Sequence, residues 1–290
     1  MSRLAAGLLA AALGVAALPA DAARNDPQLW KLGSPRENQG DGTPNPVYSP
    51  GAQARFESLS LQLGLALTSV TGGPARTAGA SGYALGVEWN SVTVPSDRTV
   101  GGAAVWPTEG GTADTSLSVP TFHVQKGLPY SFELGMRLSQ IRDSSLLGAT
   151  LELRAALVEG VESAPDISVR AHGTKLLGAR DLSLVAGGLD FTVSKEFPVL
   201  RTLKIAPYAG WDPTLVFGTS NAVDFRPGFE AFDNPALDDA VFESFTALAH
   251  RLYGGARASW GPVALGLEYS HAAAGDDSVG AFSVSTGLVF

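Results

Sequence analysis

A two-residue period runs along most of this chain. In Tyr130 to Ile141 one side carries Tyr130, Phe132, Leu134, Met136 and Leu138, and the other Ser131, Glu133, Gly135, Arg137 and Ser139. Leu147 to Val158 repeats the split, with Leu147, Ala149, Leu151, Leu153, Ala155 and Leu157 opposed to Gly148, Thr150, Glu152, Arg154 and Ala156. In Phe56 to Thr68 the odd positions Leu59, Leu61, Leu63, Leu65 and Leu67 are all leucine, and Ser58, Ser60, Gln62, Gly64 and Ala66 stand between them. Successive side chains of a strand point to opposite faces, whereas a helix would scatter both sets around its axis. Each segment is therefore expected to be a strand with one apolar and one polar face.

Further segments of this kind are Gly79 to Val92, Thr99 to Pro107, Leu117 to Lys126, Asp166 to Lys175, Leu182 to Lys195, Leu203 to Phe217, Thr246 to Trp260, Val263 to His271 and Val279 to Phe290. The count is about twelve, with ten or fourteen left open because Thr99 to Pro107 is the weakest segment, and the lengths suit tilted strands that cross a bilayer. An apolar face toward lipid and a polar face toward an enclosed interior imply an all-β fold, a transmembrane antiparallel up-and-down barrel. Short connections at Lys126-Gly-Leu-Pro129 and Trp260-Gly-Pro262 fall at one end of such a barrel, and the long ones, Thr108 to Ser116 and Gly218 to Phe245, fall at the other. That asymmetry is the one expected of tight periplasmic turns and long outer loops. Trp89, Trp106, Trp211, Trp260 and Tyr269 are candidates for aromatic girdles at the headgroup layers.

Ahead of the strands lie two other segments. Arg3, the uncharged apolar run Leu4 to Leu18 and Ala20-Asp21-Ala22 have the pattern of a cleaved export signal over 1–22. Residues 23–55 are rich in Pro, Gly and Asn and are expected to form a flexible periplasmic lead-in, with the barrel over 56–290. The chain has no cysteine, so neither disulfides nor lipid attachment at a cysteine are expected. Its net charge of −8 and the absence of a basic run argue against a nucleic-acid partner.

The final strand is the most specific feature. Phe282, Val284, Leu288 and Phe290 occupy alternate positions up to a C-terminal aromatic residue, and Thr286 interrupts them. With the export signal, this resembles the Gram-negative outer-membrane β-barrel proteins as a broad class, over Phe56 to Phe290. The resemblance implies a place in the outer membrane among lipid and lipopolysaccharide, and a C-terminal strand read by the barrel-assembly machinery.

Two places break the alternation. In Leu182 to Lys195 the apolar positions pass from Leu182, Leu184 and Ala186 to Leu189, Phe191 and Val193 across Gly187-Gly188, which suggests a bulge. Pro207 and Pro213 lack an amide donor and are expected at bulges or near strand ends.

For function, the inner wall carries the information. Its candidates are Glu88, Glu133, Arg137, Glu152, Arg154, Arg170, Asp190, Lys204, Tyr208, Asp212, Arg251, Tyr253, Arg257 and Glu268. Mixed charges can line a narrow channel or transporter for small polar solutes, with Arg137, Arg154 and Arg257 as selectivity residues. They can equally form a paired network in an occluded structural or interaction barrel, because charges away from bulk water need partners. In that second reading the outer loop, with Phe225, Phe229, Phe232 and Phe242, packs over the mouth or binds a partner. His123, His172, His250 and His271 form no metal-ligating or nucleophile-activating spacing, so no catalysis, metal or cofactor is expected.

Overall fold

The structure, a computed structural model, describes residues 24–38, 42–69, 71–227 and 239–290. The segment expected to be an export signal, 1–22, therefore lies outside the described residues. Ten long strands form the wall: β1 (Tyr83–Thr93), β2 (Ser116–Leu128), β3 (Phe132–Gln140), β4 (Leu147–Val158), β5 (Asp166–Leu177), β6 (Leu182–Ser194), β7 (Leu203–Ser220), β8 (Phe245–Trp260), β9 (Val263–Ala274) and β10 (Asp277–Val289). Each is antiparallel to its neighbour in sequence, and β10 pairs back onto β1 from Ala84↔Val289 to Thr93↔Gly280, which closes the barrel. Closure leaves no row of unpaired backbone groups facing outward.

Tyr83 and Phe290 lie together at one end, the terminal mouth, where each accepts the other's backbone N–H. Connections there are short, as at Gly261-Pro262, where Gly261 takes φ +56° between β8 and β9. The longest connections, 94–115 and 221–244, gather at the opposite end, the loop mouth. Outward positions form a continuous apolar band that includes Val87, Leu134, Leu151, Leu215, Leu252, Leu265 and Val284. Phe282, Leu288 and Phe290 share that face. Trp89, Trp211, Trp260 and Tyr269 are also exposed on it.

Two segments expected to be strands are not, and their loss takes the count from about twelve to ten. Residues 99–107 fold into the β1–β2 loop as small two-residue ladders, and Trp106 is fully buried there instead of standing in a girdle. Phe56 to Thr68 belongs to a helix, α1 (Ala52–Leu67). The helix lies inside the barrel against β5, β6, β7 and β10. Apolar wall surrounds it, so leucines at every second position scatter around its axis and are all buried, and no polar stripe marks an exposed side. Its sequence is mostly Ala, Leu, Gln and Ser, with Arg55, Phe56, Glu57 and Gly64 and no β-branched residue, which favours a helix over a strand. At about 1.5 Å per residue it spans roughly 24 Å of the lumen.

The helix also accounts for the apparent bulge in β6. The β6–β7 and β5–β6 registers carry no shift, and Leu182, Leu184, Ala186, Asp190, Thr192 and Ser194 all point inward. The inner face changes from apolar beside α1 to polar below it, so the chemistry switches while the parity is kept. The register irregularity of the barrel lies instead at Ala156/Val158 in β4. Pro207 and Pro213 both sit within β7. Pro207 follows the last β6 pair, Ser194↔Tyr208, and the β6 ladder passes from Gly188↔Thr214 to Phe191↔Trp211 without pairing at Pro213. Both prolines thus sit where the β6 ladder ends or is interrupted, and Pro207 still accepts Lys195 N–H through its carbonyl at 3.2 Å.

Candidate functional site: the filled lumen

The described part of residues 23–55 is not a free lead-in at the terminal mouth. Residues 24–38 and 42–55 are packed on the loop mouth, and the barrel wall itself begins at Tyr83. Asn25 donates to the carbonyls of Asp143 (2.9 Å) and Arg142 (3.1 Å), and its side-chain oxygen accepts from Asp114 N–H at 3.0 Å. Gln28 N–H donates to Pro107 at 2.9 Å, and Leu29 and Leu32 enter the core. Arg55, fully buried at the start of α1, donates to the carbonyls of Leu32, Pro50 and Val100 and to Ser49 Oγ. One guanidinium therefore ties the arm, the helix start and the β1–β2 loop together. From the long β7–β8 loop, Phe242 stacks on Phe56 at 4.7 Å and Phe225 packs edge-on to Phe242 at 5.9 Å. Phe229 and Phe232 lie outside the described residues.

Below this cap α1 fills the lumen. Gly64 faces β7 so closely that a Cβ there would stand 2.7 Å from Val216 Cγ1, so the contact requires glycine. Ser58 and Gln62, one turn apart, donate to Asp277 Oδ1 at 2.7 and 2.9 Å. The helix ends on Arg251, which donates to the carbonyls of Thr68 and Leu65 and to Thr68 Oγ1. A cation placed there satisfies carbonyls that have no intrahelical partner and complements the helix dipole.

The chain then descends without regular structure through 71–82, and wall side chains take up its backbone groups. Thr71 N–H donates to Glu88 (3.0 Å), Gly72 N–H to Glu268 (2.8 Å), Ala75 N–H to Ser194 (3.0 Å) and Ala78 N–H to Glu133 (3.0 Å). Arg154 donates to the carbonyls of Gly72 and Pro74 at 2.6 and 3.1 Å. Buried irregular backbone needs such partners, which gives these charges a structural purpose. Around the segment runs an ion-pair chain. Arg137 joins Glu88 (2.6 Å) to Glu152 (3.1 Å), and Arg170 joins Glu152 (3.1 Å) to Asp190 (2.5 Å), which accepts from Tyr253. Asp212 lies between Arg251 (3.4 Å) and His172 (3.0 Å).

The fourteen residues read from the sequence as inner wall do not have one environment. Twelve of them, Glu88, Glu133, Arg137, Glu152, Arg154, Arg170, Asp190, Tyr208, Asp212, Arg251, Tyr253 and Glu268, are buried in the lumen. Arg257 is half-buried, and Lys204 reaches the rim of the terminal mouth, where it pairs with Glu196 at 2.9 Å. Sequence reasoning missed Arg55 and the two inward histidines' partners, of which His123 lies 2.9 Å from Glu88. Two spaces lined by described residues lie along the path. A cavity of about 450 Å³ opens at the terminal mouth, and a void of about 40 Å³ lies deeper, among Thr71, Glu88, Arg137 and Tyr208. The deeper one has room for about one water molecule.

No protein-family model matches this sequence, nor does any curated protein. Solved structures similar to the chain include Ail, the attachment invasion locus protein of Yersinia pestis, in complex with the heparin analogue sucrose octasulfate (10% identity, 73% of this chain and 99% of that one, TM-score 0.29). Neisserial surface protein A is similar at 12% identity over 71% of this chain and 96% of that one, TM-score 0.29. The Acinetobacter baumannii outer membrane protein Omp33 is similar at 8% identity over 74% of this chain and 100% of that one, TM-score 0.29. The chain's own geometry, a closed antiparallel barrel with an apolar outer band, exposed aromatics on that band and its long loops at one end, is that of a transmembrane β-barrel of the outer-membrane type.

Proposed function

We propose that this protein is an occluded interaction barrel of the outer membrane, whose capped loop mouth faces the outside of the cell and meets a partner there. The observation that carries the reading is the filling of the lumen by the cap, α1 and the ion-paired descending segment, beside which the described residues leave a void of about 40 Å³ and a cavity of about 450 Å³ at the terminal mouth. A conduit for polar solutes needs a wetted path, and the charges that would line it here, Arg257 apart, are spent on one another and on backbone groups. The partner surface in this reading is centred on the arm, because in the described part of the β7–β8 loop Phe225 and Phe242 turn inward, whereas Trp30 and Tyr48 of the arm stay exposed on the cap. Exposed aromatics on a rigid, hydrogen-bonded platform suit protein or glycan contact.

Refolded protein in planar bilayers is expected to give no conductance steps above background, whereas discrete steps would return the channel reading to first place. On intact cells, an epitope tag placed before Asp26 is expected to be labelled without permeabilisation.

A further inference from the structure

We propose that the cavity at the terminal mouth binds a small ligand bearing a phosphate or carboxylate group, with the Arg257 guanidinium as its recognition element. The space, about 450 Å³, is within the range of roughly 300–1,000 Å³ typical of small-molecule sites. Four cations and three carboxylates line it, and the carboxylates are already committed. Glu196 accepts from Arg76 at 2.7 Å and Lys204 at 2.9 Å. Asp166 lies 3.4 Å from Arg76 and accepts Gly160 N–H at 2.7 Å. Glu133 lies 3.6 Å from Arg154 and accepts Ala78 N–H.

Arg257 is the cation left over. It projects from β8 into the waist between the large cavity and the deeper void and lines both. Among the described residues it makes no hydrogen bond or ion pair, although it is half-buried; Arg154 repels it from nearby, and Glu133 and Glu88 attract it without reaching ion-pair distance. Arg154 Nε beside it is likewise buried without an acceptor. A guanidinium offers five donors in a planar fork that matches two oxygens of a carboxylate or phosphate. A ligand oxyanion entering from the terminal mouth would satisfy that fork and cancel the excess positive charge of the cavity. The plug closes the space above, so the ligand is held and not passed through, and the site stands whether or not the cap binds a partner.

The test is calorimetric titration of the folded barrel in detergent micelles with inorganic phosphate and, separately, citrate, at ionic strength fixed with sodium chloride. At least one of the two is expected to saturate at one site per barrel, and the comparison of the two tells phosphate from carboxylate recognition. Arg257→Gln should weaken that binding by about tenfold or more, while Lys204→Gln at the rim should change it by no more than about threefold. If Arg257→Gln fails to show a heat-modifiable folded band, Arg257→Lys, which keeps the charge and loses the fork, should still weaken binding several-fold. Failure of both anions to saturate at about 10 mM, near the millimolar limit of weak recognition, would overturn the proposal, as would an affinity indifferent to Arg257.

Discussion

The two halves of the lumen share one wall and differ in what fills them. Near the loop mouth the inner faces of β1, β6 and β10 present Val92, Leu182, Leu184, Val279 and Ala281 to α1. A few residues along the same strands, toward the terminal mouth, they present Glu88, Asp190, Thr192 and Ser283. An α-helix satisfies its own backbone, so the wall around it has only to supply volume and apolar surface. The irregular segment 71–82 satisfies little of its backbone, so the wall around it has to supply donors, acceptors and the counter-charges that keep those groups ionised. The inner face of the barrel is therefore shaped by the internal chain more than by any solute.

The comparison breaks hardest at Arg170. Removing this cation by Arg170→Met leaves Glu152 and Asp190 without the partner that bridges them inside the lumen. An uncompensated buried charge costs about 3–5 kcal/mol, so urea unfolding in micelles should show a loss of that size, and a loss under about 1 kcal/mol would mean that water reaches the network. In the other half, Leu63→Ala removes a fully buried side chain from between helix and wall. The expected loss is about 2–5 kcal/mol through transfer and cavity terms, and unlike that of Arg170→Met it should not depend on pH. Equal pH dependence of the two would erase the distinction between the halves.

Parity was legible in the sequence and occupancy was not. Lipid demands apolar side chains at alternate positions whatever lies inside, so the outward face of β3, β4, β8 and β9 could be read directly, and with it the inward residues. The plug could not be read by the same rule. A helix buried on every side carries no amphipathic stripe, and Leu59, Leu61, Leu63, Leu65 and Leu67 happen to mimic a strand's period. The lack of any β-branched residue from Ala52 to Leu67, between Pro50-Gly51 and Thr68, was the available signal. Once the helix was taken for wall, Leu184 and Ala186 could be read only as outward, and a bulge had to be inferred to reconcile them with Leu189 and Phe191. The partners of Arg251 are carbonyls of this same plug, and Arg55 sits in the plug and pairs with carbonyls of the arm and the β1–β2 loop, so both roles were hidden with it.

A third environment, the rim of the terminal mouth, sharpens the comparison by repeating the ion-pair chemistry in contact with water. Burial opposes ionisation of Glu196, but hydrogen bonds and charge from Lys204 and Arg76 outweigh it and hold the carboxyl below the usual glutamate range. A carboxyl depressed in the folded state adds stability above its unfolded pKa, and that increment is lost as pH falls through the folded value. Glu196→Gln should therefore cost at most about 1 kcal/mol at neutral pH, because solvent screens a pair that Arg170 and its partners keep dry. The gap between variant and parent should close in acid and narrow in high salt. Urea unfolding of both proteins from neutral pH down to about pH 3, below the ordinary glutamate range, measures it. A gap as large as that of Arg170→Met, or one that widens on acidification, would show that the rim is as enclosed as the interior and that the contrast between filled lumen and open vestibule is wrong.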